Sequence, residues 1–520
     1  MKGDDDGPQL EMRLMPPSPT VALIPKRNLK NCERIIPVLK KNFCSTTRRS
    51  LERDTHREMG KQGQRCSRLV LVPCPFQGHI NPMLQLGAIL HSKGFSITIV
   101  HIQFNSPNPS NHPNFTFLPI QDALSGYDAT TTDIISNMKA LNVNLTLPFQ
   151  ESLAQMMKQE EKKERIACVI YDVIMYKAEE AANHLKLPTI VLVTDSAATR
   201  LTQVTYPQLQ AEGYIPPKDS ILQDLVPGLH PLWFKDLTIL DFPNILEAML
   251  QLIATTIKIR TSSAIIWNTV DCLEQPFLAQ LKKQSQKQYQ VPIFSTGPFH
   301  KIAPPSSSSL LKEDTSCITW LDKQAPNSVI YVSIGSAASI DERELIETAW
   351  GLANRKQHFL WVIRPGSVRS LGTGQQQALE ELLPEGFKKA VEERGRVVEW
   401  APQKEVLAHV AVGGFWSHCG WNSTLESIGE GVPMICRPYF GDQRMNARYV
   451  SHVWRVGLEL DNELERGQIE RTIRRLMVGK ESEEMRQRTM DLRVKVEFSI
   501  REGGSSYNSL NDLAELILSI

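Results

Sequence analysis

The chain has 520 residues, and its 58 lysine and arginine residues nearly balance its 57 aspartate and glutamate residues, giving a formal net charge of +1. That balance argues against a protein built mainly to grip nucleic acid or an anionic membrane. Hydrophobic residues make up 41% and aromatic residues 7% of the chain, which excludes a wholly disordered, collagen-like or polytopic membrane protein. At roughly 150 residues per domain, the length predicts three or four domains, or two large ones.

Cysteine usage and the absence of apolar runs indicate the compartment. The 9 cysteines include no Cys-x-x-Cys pair, so neither a zinc knuckle nor a redox dithiol is indicated. Scattered thiols fit a reducing compartment better than a disulfide scaffold. No uninterrupted apolar run reaches the length of a spanning helix, and the acidic opening MKGDDDGPQL is unlike a secretory signal. We therefore expect a cytoplasmic protein without stable membrane insertion.

Residues 1–64 differ from the rest of the chain. Several prolines are followed by the charged stretch LERDTHREMGKQGQR, and no apolar period is sustained. This composition predicts a mostly disordered extension. The segment NFCSTTRRS is basic and rich in hydroxyls, as in a transit peptide, although the acidic opening counts against one. Met59 is an alternative start, which would make 1–58 an upstream extension.

From Arg68 onward, predicted strands alternate with predicted helices. RLVLVP predicts a buried strand, and INPMLQLGAILHSKG, with apolar residues at helical spacing, predicts the helix that follows. Further apolar runs predict strands at SITIVHI (96–102), IACVIYD (166–172) and TIVLV (189–193). This alternation is typical of a parallel sheet with crossover helices.

The pattern breaks at HKIAPPSSSSLLKED (300–314), where consecutive prolines and serines predict a linker. The alternation then restarts, with predicted strands at 328–335, 358–363, 397–400, 413–418 and 433–438. The sequence therefore predicts an α/β fold with two doubly wound domains. Because ligands of such sheets bind beyond the carboxyl ends of the strands, two domains facing each other would enclose a cleft.

Two residues of the first half are candidates for proton transfer. His79 lies between the first predicted strand and the first predicted helix, and histidine is the usual side chain that takes a proton near neutral pH. Asp172 ends the strand IACVIYD, where a carboxylate can orient His79 and stabilise its charged form. The ordinary alternatives are a histidine that decorates a loop or caps a helix, and an aspartate that caps a helix N-terminus.

The second half contains a dense polar and aromatic segment, 400–443, at predicted strand-to-helix junctions. His-Cys-Gly at 418–420 follows a strand, and residues 421–424 open a helix. A helix N-terminus with free backbone N–H groups, nearby glycine and short polar side chains is an anion site. A diphosphate is the obvious anion.

Other residues of the segment suit a nucleotide and a sugar. The flat face of Trp400 can stack on a base, and Glu426, within one helical turn of Asn422, can accept a hydrogen bond from a ribose. Asp442 and Gln443 open another helix, and an acid beside an amide can bond vicinal hydroxyls. Each residue alone is as easily a cap or a core aromatic, and only their clustering at the strand ends of one domain indicates a site.

Other phosphate-binding motifs are missing from the sequence. No Gly-x-Gly-x-x-Gly opens the first helix, which weakens a dehydrogenase hypothesis, and no Gly-x-x-x-x-Gly-Lys-Ser/Thr occurs, which weakens an ATPase hypothesis. The turn that contains Gly335 and Ser336 can reach a phosphate, but alone it is a weak signal.

The segment 400–443 resembles the signature box of the plant UDP-dependent glycosyltransferases of secondary metabolism. The residues that carry the resemblance are Trp400, Gln403, His418, Cys419, Gly420, Trp421, Asn422, Ser423, Glu426, Asp442 and Gln443. The opening LVLVPCPFQGHINPMLQL and the ending REGGSSYNSLNDLAELI are also similar to this family, so the resemblance extends over about 65–520. Within the family, the chain is most similar to the subgroup with cytokinin and other small-molecule glucosyltransferases.

The resemblance implies a GT-B fold, in which two Rossmann-like doubly wound parallel-sheet domains face a central cleft. The implied organisation is an acceptor-binding domain over 65–299, an interdomain linker over 300–316 and a UDP-sugar-binding domain over 317–496. The closing helix, 497–520, would pack back on the N-terminal domain. A monomer without a nucleic-acid partner is expected.

The resemblance also implies an inverting, metal-independent transfer of glucose from UDP-glucose, with no cofactor. His79 would take the proton of the acceptor and Asp172 would balance its charge. The residues implied to hold the UDP-sugar are Ser336, Trp400, Ala401, Gln403, His418, Trp421, Asn422, Ser423, Glu426, Asp442 and Gln443. Glutamine at the last position of the box tends to accompany glucose. The expected product is a β-glucoside on a hydroxyl, nitrogen or carboxyl group of a small lipophilic plant metabolite or hormone.

Two residues depart from the pattern of the family. Lys177 stands where relatives usually carry an aromatic residue, and Asp195 stands where they usually carry Ser or Thr. We therefore carry over no acceptor from relatives, although both charges are equally explained by a surface salt bridge or a helix cap. A second hypothesis is a catalytically weak UDP-sugar-binding protein, and a third is an NAD-dependent oxidoreductase.

Overall fold

Two parallel β-sheets with helices packed on them form the described part of the chain. The computed structural model describes residues 67–120, 134–159, 164–241, 245–258, 261–288, 291–354, 357–369, 379–460 and 463–520. The expectations of a disordered extension over 1–64 and of a start at Met59 lie outside the described residues.

The first sheet has seven strands, and all neighbouring strands in it are parallel. They are β1 Arg68–Val72, β2 Ser96–Ile102, β3 Phe115–Ile120, β4 Ile166–Asp172, β5 Thr189–Val193, β6 Ala264–Trp267 and β7 Ile293–Ser295. The order across the sheet is β3-β2-β1-β4-β5-β6-β7, so the winding reverses between β1 and β4. The four strands predicted for this half are confirmed, and their near-continuous apolar sequences reflect burial on both faces.

The second sheet has six strands in the order β12-β10-β8-β13-β14-β15, so its winding reverses between β8 and β13. Strands β9 and β11 form a separate small sheet. The bounds in chain order are β8 Val329–Ser333, β9 Ile340–Asp341, β10 His358–Val362, β11 Val368–Arg369, β12 Gly395–Val398, β13 Val412–Ser417, β14 Met434–Cys436 and β15 Gly457–Glu459. The five strands predicted for this half are confirmed, and with them the predicted α/β class.

Helices connect the strands and cover the sheets. In the first half the α-helices are Gln77–Ser92, Ile134–Gln159, Lys177–His184, Ala197–Ala211, Leu246–Thr256, Asp271–Gln288 and Phe299–Ile302. In the second half they are Ser316–Leu321, Glu342–Asn354, Leu379–Leu382, Phe387–Val391, Gln403–Ala408, Trp421–Glu430, Gln443–Arg448, Arg466–Met477, Lys480–Ile500 and Ser505–Ser519.

The first helix begins earlier than predicted. It starts at Gln77, and the backbone N–H of His79 donates to the Phe76 carbonyl at 2.8 Å. The prediction that His79 precedes the helix is therefore wrong, and His79 lies in the first helical turn. A histidine there has its backbone fixed by the helix, which orients its side chain at the carboxyl edge of the sheet.

The predicted linker over 300–316 is packed against both halves. Gln77 donates to the Ser308 carbonyl at 2.9 Å and accepts from the Leu310 N–H at 2.7 Å. The indole N–H of Trp400 donates to Ser309 Oγ at 2.8 Å. The serine run is thus held between the first helix and the start of the signature segment.

The last helix, Ser505–Ser519, returns to the first sheet. Leu510, Leu513 and Ile517 are buried in one core cluster with residues of the first sheet and its first helix. Burial of this apolar face stabilises the arrangement of the C-terminus on the first half. Among the described residues, no helix combines the length and apolarity needed to cross a membrane.

Candidate active site between the two sheets

His79 and Asp172 meet at the switch point of the first sheet. His79 lies in the helix that follows β1, and Asp172 is the last residue of β4, the neighbour of β1. His79 Nδ1 lies 2.8 Å from Asp172 Oδ2, and Asp172 Oδ1 accepts from the Ile174 N–H at 2.9 Å. Asp172 is fully buried, whereas 26% of the His79 side chain is exposed. A proton on Nδ1 satisfies Asp172, so Nε2 is the ring nitrogen whose lone pair is free to accept a proton.

Three carboxylates shape the electrostatics of His79. Burial by itself would lower the pKa of His79, but the charges of Asp172, Asp195 and Asp442 together raise the pKa above its ordinary value. Two of these carboxylates come from the first half and Asp442 comes from the second. A proton taken up by His79 is therefore stabilised by both halves of the protein.

Thr194 and Cys74 also contact this pair, and the sequence analysis did not find them. Thr194 Oγ1 lies 3.0 Å from His79 Nδ1. Within the described residues, the potential metal-ligating atoms of Cys74, His79 and Asp172 lie within 4.8 Å of one another. Burial and the Asp172 charge raise the pKa of the Cys74 thiol well above its usual range.

His418 and two glycines form the corresponding switch point of the second sheet. His418 follows β13, and Gly335 follows the neighbouring strand β8. A Cβ atom on Gly335 or on Gly420 would lie 2.5 Å from the His418 ring, so only glycine lets the two loops close on the imidazole. Burial lowers the pKa of His418 to about 4, so the ring is neutral at physiological pH. Ser336 is adjacent to Gly335 and lies at the same edge.

Gln403, Ser423 and Glu426 are bonded to one another beside this edge. Gln403 Nε2 donates to Ser423 Oγ at 2.9 Å and to Glu426 Oε2 at 2.7 Å. Burial raises the pKa of Glu426. Ala401 is buried, and Trp400 is half-buried with its N–H bonded to the serine run. The structure thus brings these predicted residues together at one edge of the sheet.

Asn422 crosses the cleft to the helix of His79, where Pro82 leaves a carbonyl free. Proline has no N–H, so Pro82 cannot donate to the carbonyl of Gly78 four residues earlier in the helix. Asn422 Nδ2 donates to that carbonyl at 2.6 Å instead, and Asn422 Oδ1 accepts from Asn268 at 3.3 Å. The predicted diphosphate residue Asn422 therefore commits its amide group to the first half in this structure.

Trp421 makes a second contact across the cleft. Its indole N–H donates to the Asn268 carbonyl at 2.9 Å, and its side chain is buried. The resemblance implies that Trp421 helps to hold the UDP-sugar, but its indole uses its one donor within the protein. Together with Asn422, it holds the N-terminus of the helix Trp421–Glu430 beside the strand ends of the first sheet.

Asp442 and Gln443 open the helix Gln443–Arg448 as predicted. Asp442 Oδ2 accepts from Asn446 Nδ2 at 2.9 Å, and burial together with the charge of Asp195 raises the pKa of Asp442 to about 6. Gln443 Oε1 accepts from the N–H groups of Tyr439 and Phe440 at 2.8 and 3.1 Å. The Gln443 amide can therefore only donate to a ligand, although a free amide can both donate and accept.

The two departures from the family pattern have different surroundings. Lys177 Nζ pairs with Glu180 Oε2 on the same helix, which is the surface salt bridge considered from the sequence. Asp195 follows Thr194 at the carboxyl end of β5, and its charge acts on both His79 and Asp442. Asp195 thus belongs to the electrostatics of the cleft and Lys177 does not.

The arrangement pairs a base with an anion and hydroxyl site. The first sheet supplies the His79–Asp172 pair at its switch point. The second supplies a helix N-terminus, a neutral histidine and glycine turns, which suit an anion. Ligands of doubly wound sheets bind at such switch points, so a phosphorylated donor and a proton-bearing acceptor would meet between them.

Comparisons with known proteins agree with this geometry. The sequence profile described as UDP-glucoronosyl and UDP-glucosyl transferase matches residues 304–490. UDP-glycosyltransferase 76E1 of Solanum lycopersicum is 50% identical over 456 residues, which are 87% of this chain and 93% of that relative. Flavonol 3-O-glucosyltransferase UGT76E12 of Arabidopsis thaliana is 46% identical over 454 residues, which are 86% of this chain and 96% of that relative.

The similarity extends to a solved structure. Os79 from O. sativa in complex with UDP superposes with a TM-score of 0.73 at 26% sequence identity, covering 86% of this chain and 100% of that one. The fold and the site define a glycosyltransferase of the GT-B class, as the sequence predicted. The chain belongs to the UDP-glucoronosyl and UDP-glucosyl transferase family and is a UDP-glycosyltransferase. Membership sets aside the oxidoreductase hypothesis, while the cytokinin subgroup stays a prediction.

Proposed function

We propose that this protein transfers glucose from UDP-glucose to a small, largely apolar plant metabolite, with inversion at the anomeric carbon. The observation that carries the proposal is the 2.8 Å contact between His79 Nδ1 and Asp172 Oδ2 at the edge of the first sheet. It lies beside the anion site of the second sheet, to which Asn422 links it through Gly78. The intact pair favours an enzyme over a protein that only binds a UDP-sugar.

His79 is the proposed general base. Nε2 takes the proton of an acceptor hydroxyl as its oxygen bonds to the anomeric carbon. The bond from that carbon to the diphosphate oxygen breaks, and UDP leaves with the electron pair. Asp172 holds the ring and stabilises the imidazolium that forms. Because the attack comes from the face opposite UDP, an α-linked donor gives a β-glucoside.

The second sheet supplies the proposed donor site. Trp400 and Ala401 would hold the uracil, Gln403 would meet the nucleotide, and Glu426 would accept from the ribose. The diphosphate would lie at the helix N-terminus and its neighbouring turns, which supply Ser336, His418, Asn422 and Ser423. Trp421, Asp442 and Gln443 would face the sugar. The committed side chains of Trp421 and Asn422 indicate that these two contribute through the backbone or by bracing the cleft.

The proposed sugar and acceptor rest on chemistry and on relatives. Gln443, with its amide oxygen engaged, offers donors to sugar hydroxyls, and glucose is the sugar that glutamine at this position tends to accompany. A relative named as a flavonol 3-O-glucosyltransferase makes a phenolic hydroxyl a reasonable first acceptor. Transfer to a nitrogen or a carboxyl group is the alternative linkage.

We also propose that the enzyme acts as a monomer in the cytoplasm and without a metal. One chain contributes both sides of the cleft, so no second copy is needed to complete the site. Buried thiols such as Cys74, Cys168 and Cys317 fit a reducing compartment. The N-terminus of the helix Trp421–Glu430 can stabilise the negative charge of the departing diphosphate, which is the role that a divalent metal would otherwise take.

Release of UDP tests the proposal. The protein is mixed with UDP-glucose and a panel of phenols, terpenoid alcohols, hydroxy acids and adenine-type hormones. Turnover is expected with at least one acceptor, and His79→Ala should lose about 10²–10⁴ in rate, the usual contribution of general-base help. His91→Ala, at the other end of the same helix, is the matched control and should keep normal turnover.

Two outcomes contradict the proposal. Near-normal turnover by His79→Ala would remove the base from the mechanism. Tight UDP binding without turnover on any acceptor would favour a UDP-sugar-binding protein. Calorimetric titration with UDP, which should be unchanged in His79→Ala, separates loss of chemistry from loss of folding.

A further inference from the structure

Asp195 is fixed rigidly beside the proposed base. Its backbone carbonyl accepts from the buried Trp267 indole N–H at 2.7 Å, and the next residue, Ser196, caps the helix Ala197–Ala211. The residue before it, Thr194, contacts His79 directly. The position of the Asp195 side chain is therefore set by β5 and by the helix start on either side.

The Asp195 carboxylate lies at the carboxyl edge of the first sheet, one residue beyond the contact of Thr194 with His79. Oδ2 lies 2.9 Å from Arg200 Nη2, and among the described residues Oδ1 has no hydrogen-bond partner. The Arg200 side chain is 9% exposed, whereas that of Asp195 is 21% exposed. The charge of Asp195 is one of the causes that raise the pKa of His79. The carboxylate is thus the more exposed end of the pair, and it adjoins the residue that contacts His79.

The negative charge of the carboxylates near His79 acts differently on hydroxyl acceptors and on carboxylic acid acceptors. A hydroxyl acceptor enters neutral, and its proton moves to His79 Nε2, so nearby carboxylates stabilise the imidazolium that forms. A carboxylic acid enters as its anion, has no proton to give, and forms its glucose ester by direct attack of an oxygen on the anomeric carbon. The same carboxylates repel that anion and gain nothing in return.

We infer that Asp195 makes this enzyme select hydroxyl acceptors over carboxylate acceptors, so that it forms O-glucosides on hydroxyl groups and not glucose esters. This inference rests on the proposed glucosyl transfer and narrows its substrate class. Asp195 is a specificity-determining residue in this assignment, and its charge acts without a covalent role in the reaction.

The test uses 4-hydroxybenzoate, which presents a phenol and a carboxylate on one ring. Wild type should give the phenolic glucoside, and Asp195→Asn should raise the ester-to-phenolic product ratio about tenfold or more. Two like charges a few ångströms apart, at the dielectric near a protein surface, repel each other strongly. The free energy of that repulsion exceeds the free energy that corresponds to a tenfold change in the product ratio. Chromatography measures the ratio, and mild alkaline hydrolysis identifies the ester. Because both products come from one reaction, the ratio does not depend on how much variant is folded.

Two further variants separate the charge of Asp195 from its partner. Asp195→Asn leaves Arg200 unpaired, and an unpaired guanidinium would itself attract carboxylates. In Asp195→Ser/Arg200→Met the shift toward ester should persist. Its disappearance there would assign the effect to Arg200 and overturn the inference. Lys177→Ala is the matched control, because that charge is paired with Glu180, and it should leave the ratio unchanged.

Other outcomes are equally decisive. Wild type that makes mainly ester, or an equal ratio in wild type and Asp195→Asn, overturns the inference. Exclusion of 4-hydroxybenzoate by every variant does so as well, since carboxylate exclusion would then not depend on Asp195. Failure to glucosylate any acceptor of the panel, whether at a hydroxyl, a nitrogen or a carboxyl group, would instead contradict the proposed function itself. Melting temperature and UDP binding confirm that each variant is folded.

Discussion

Arg448 and Asp236 join the two halves of the protein through a buried ion pair. Arg448 Nε lies 2.9 Å from Asp236 Oδ2, and Nη2 lies 3.2 Å from Oδ1. The side chains are 2% and 7% exposed, and the guanidinium lies 4.2 Å from the centre of the Trp233 ring. Arg448 ends the helix that Asp442 and Gln443 open. The pair therefore fixes the helix of the proposed sugar-binding residues against the first half.

Replacing Arg448 by methionine should destabilise the protein strongly, because the Asp236 carboxylate would stay buried without its cation. Removing one partner of such a pair costs about 3–5 kcal/mol. The double variant Arg448→Met/Asp236→Asn should have a higher melting temperature than the single variant Arg448→Met. Asparagine removes the buried charge, and its oxygen can still accept from the Trp233 N–H that Asp236 now binds. Thermal melting followed by circular dichroism measures both.

The exposed pair Arg343–Glu463 is the matched control. Its charged atoms lie 3.0 Å apart with side chains 69% and 77% exposed. Arg343→Met should barely move the melting temperature, because exposed pairs contribute little. The role given to the buried pair would be contradicted if Arg448→Met had the melting temperature of wild type. It would also be contradicted if the double variant were no more stable than Arg448→Met.

Gly335→Ala should weaken UDP binding, because the His418 ring fills the space that a side chain would need. Gly335 has φ +79°, and a Cβ atom there would lie 2.5 Å from the ring. Gly366 has φ +74° with no atom within 4 Å of such a Cβ, so Gly366→Ala incurs only the backbone cost of about 1 kcal/mol. Calorimetric titration should give a Kd for UDP raised about tenfold or more in Gly335→Ala and unchanged in Gly366→Ala. Equal affinities in the two variants would contradict this account.

The strands were predictable where burial on both faces makes them apolar throughout. IACVIYD and TIVLV are of this kind. The strand Phe115–Ile120 was missed because it lies at the sheet edge, is partly exposed and contains a proline. The helix Ile134–Gln159 was missed because a proline interrupts it and because Val143 and Leu147 are exposed, which breaks the amphipathic period.

The candidate site was predictable where it depends on position along a strand. His79 and Asp172 follow neighbouring strands of one parallel sheet, so their meeting follows from topology. The contact of Asn422 with Gly78 depends on how the two halves meet, which no local pattern encodes. The sequence could not show that the charge of Asp195 acts on the cleft while that of Lys177 is paired on its own helix. In the sequence, both residues are charges at the end of a strand or the start of a helix.

Binding of UDP-glucose should weaken as the pH falls below about 6, because an ionised Asp442 accepts a stronger hydrogen bond from a sugar hydroxyl than a protonated one does. Burial and the charge of Asp195 raise the pKa of Asp442 to about 6, so its carboxylate is lost at a higher pH than an ordinary aspartate would lose its charge. Equilibrium titration with UDP-glucose between pH 5 and 8 measures this without turnover. The dependence should persist in His79→Ala, which removes one of the other titrating groups of the cleft; Asp195 and Glu426, whose pKa values are raised by burial, are two more.

Two aspartate variants check the assignment of that pH dependence. Asp442→Asn should bind UDP-glucose weakly and with little change over the same range. Asp195→Asn should move the midpoint to lower pH, since the charge of Asp195 is one cause of the raised pKa. A pH profile that is identical in wild type and Asp442→Asn would assign the dependence to another group.

Glu274 should make the protein less stable as the pH rises from about 4.5 to 7. The carboxyl accepts from the N–H groups of Ala197 and Ala198 and from the hydroxyl of Thr269, and burial raises its pKa to about 7. Below the pKa of the unfolded state, Glu274 is protonated in both states and its contribution is fully present. As the pH rises, the unfolded state ionises first, so the contribution falls and is lost once the pH passes about 7.

Melting of wild type and Glu274→Gln across pH 4.5 to 8 isolates this group, because glutamine is neutral throughout. The melting temperature of wild type should fall relative to the variant up to about pH 7 and then level off. Glu347 provides a control of opposite sign, since its hydrogen bonds to Arg466 lower its pKa. Relative to Glu347→Gln, wild type should gain stability as the pH rises through the acidic range. If wild type also gained stability relative to Glu274→Gln, the hydrogen bonds to Glu274 would outweigh its burial, and its pKa would lie below the ordinary value.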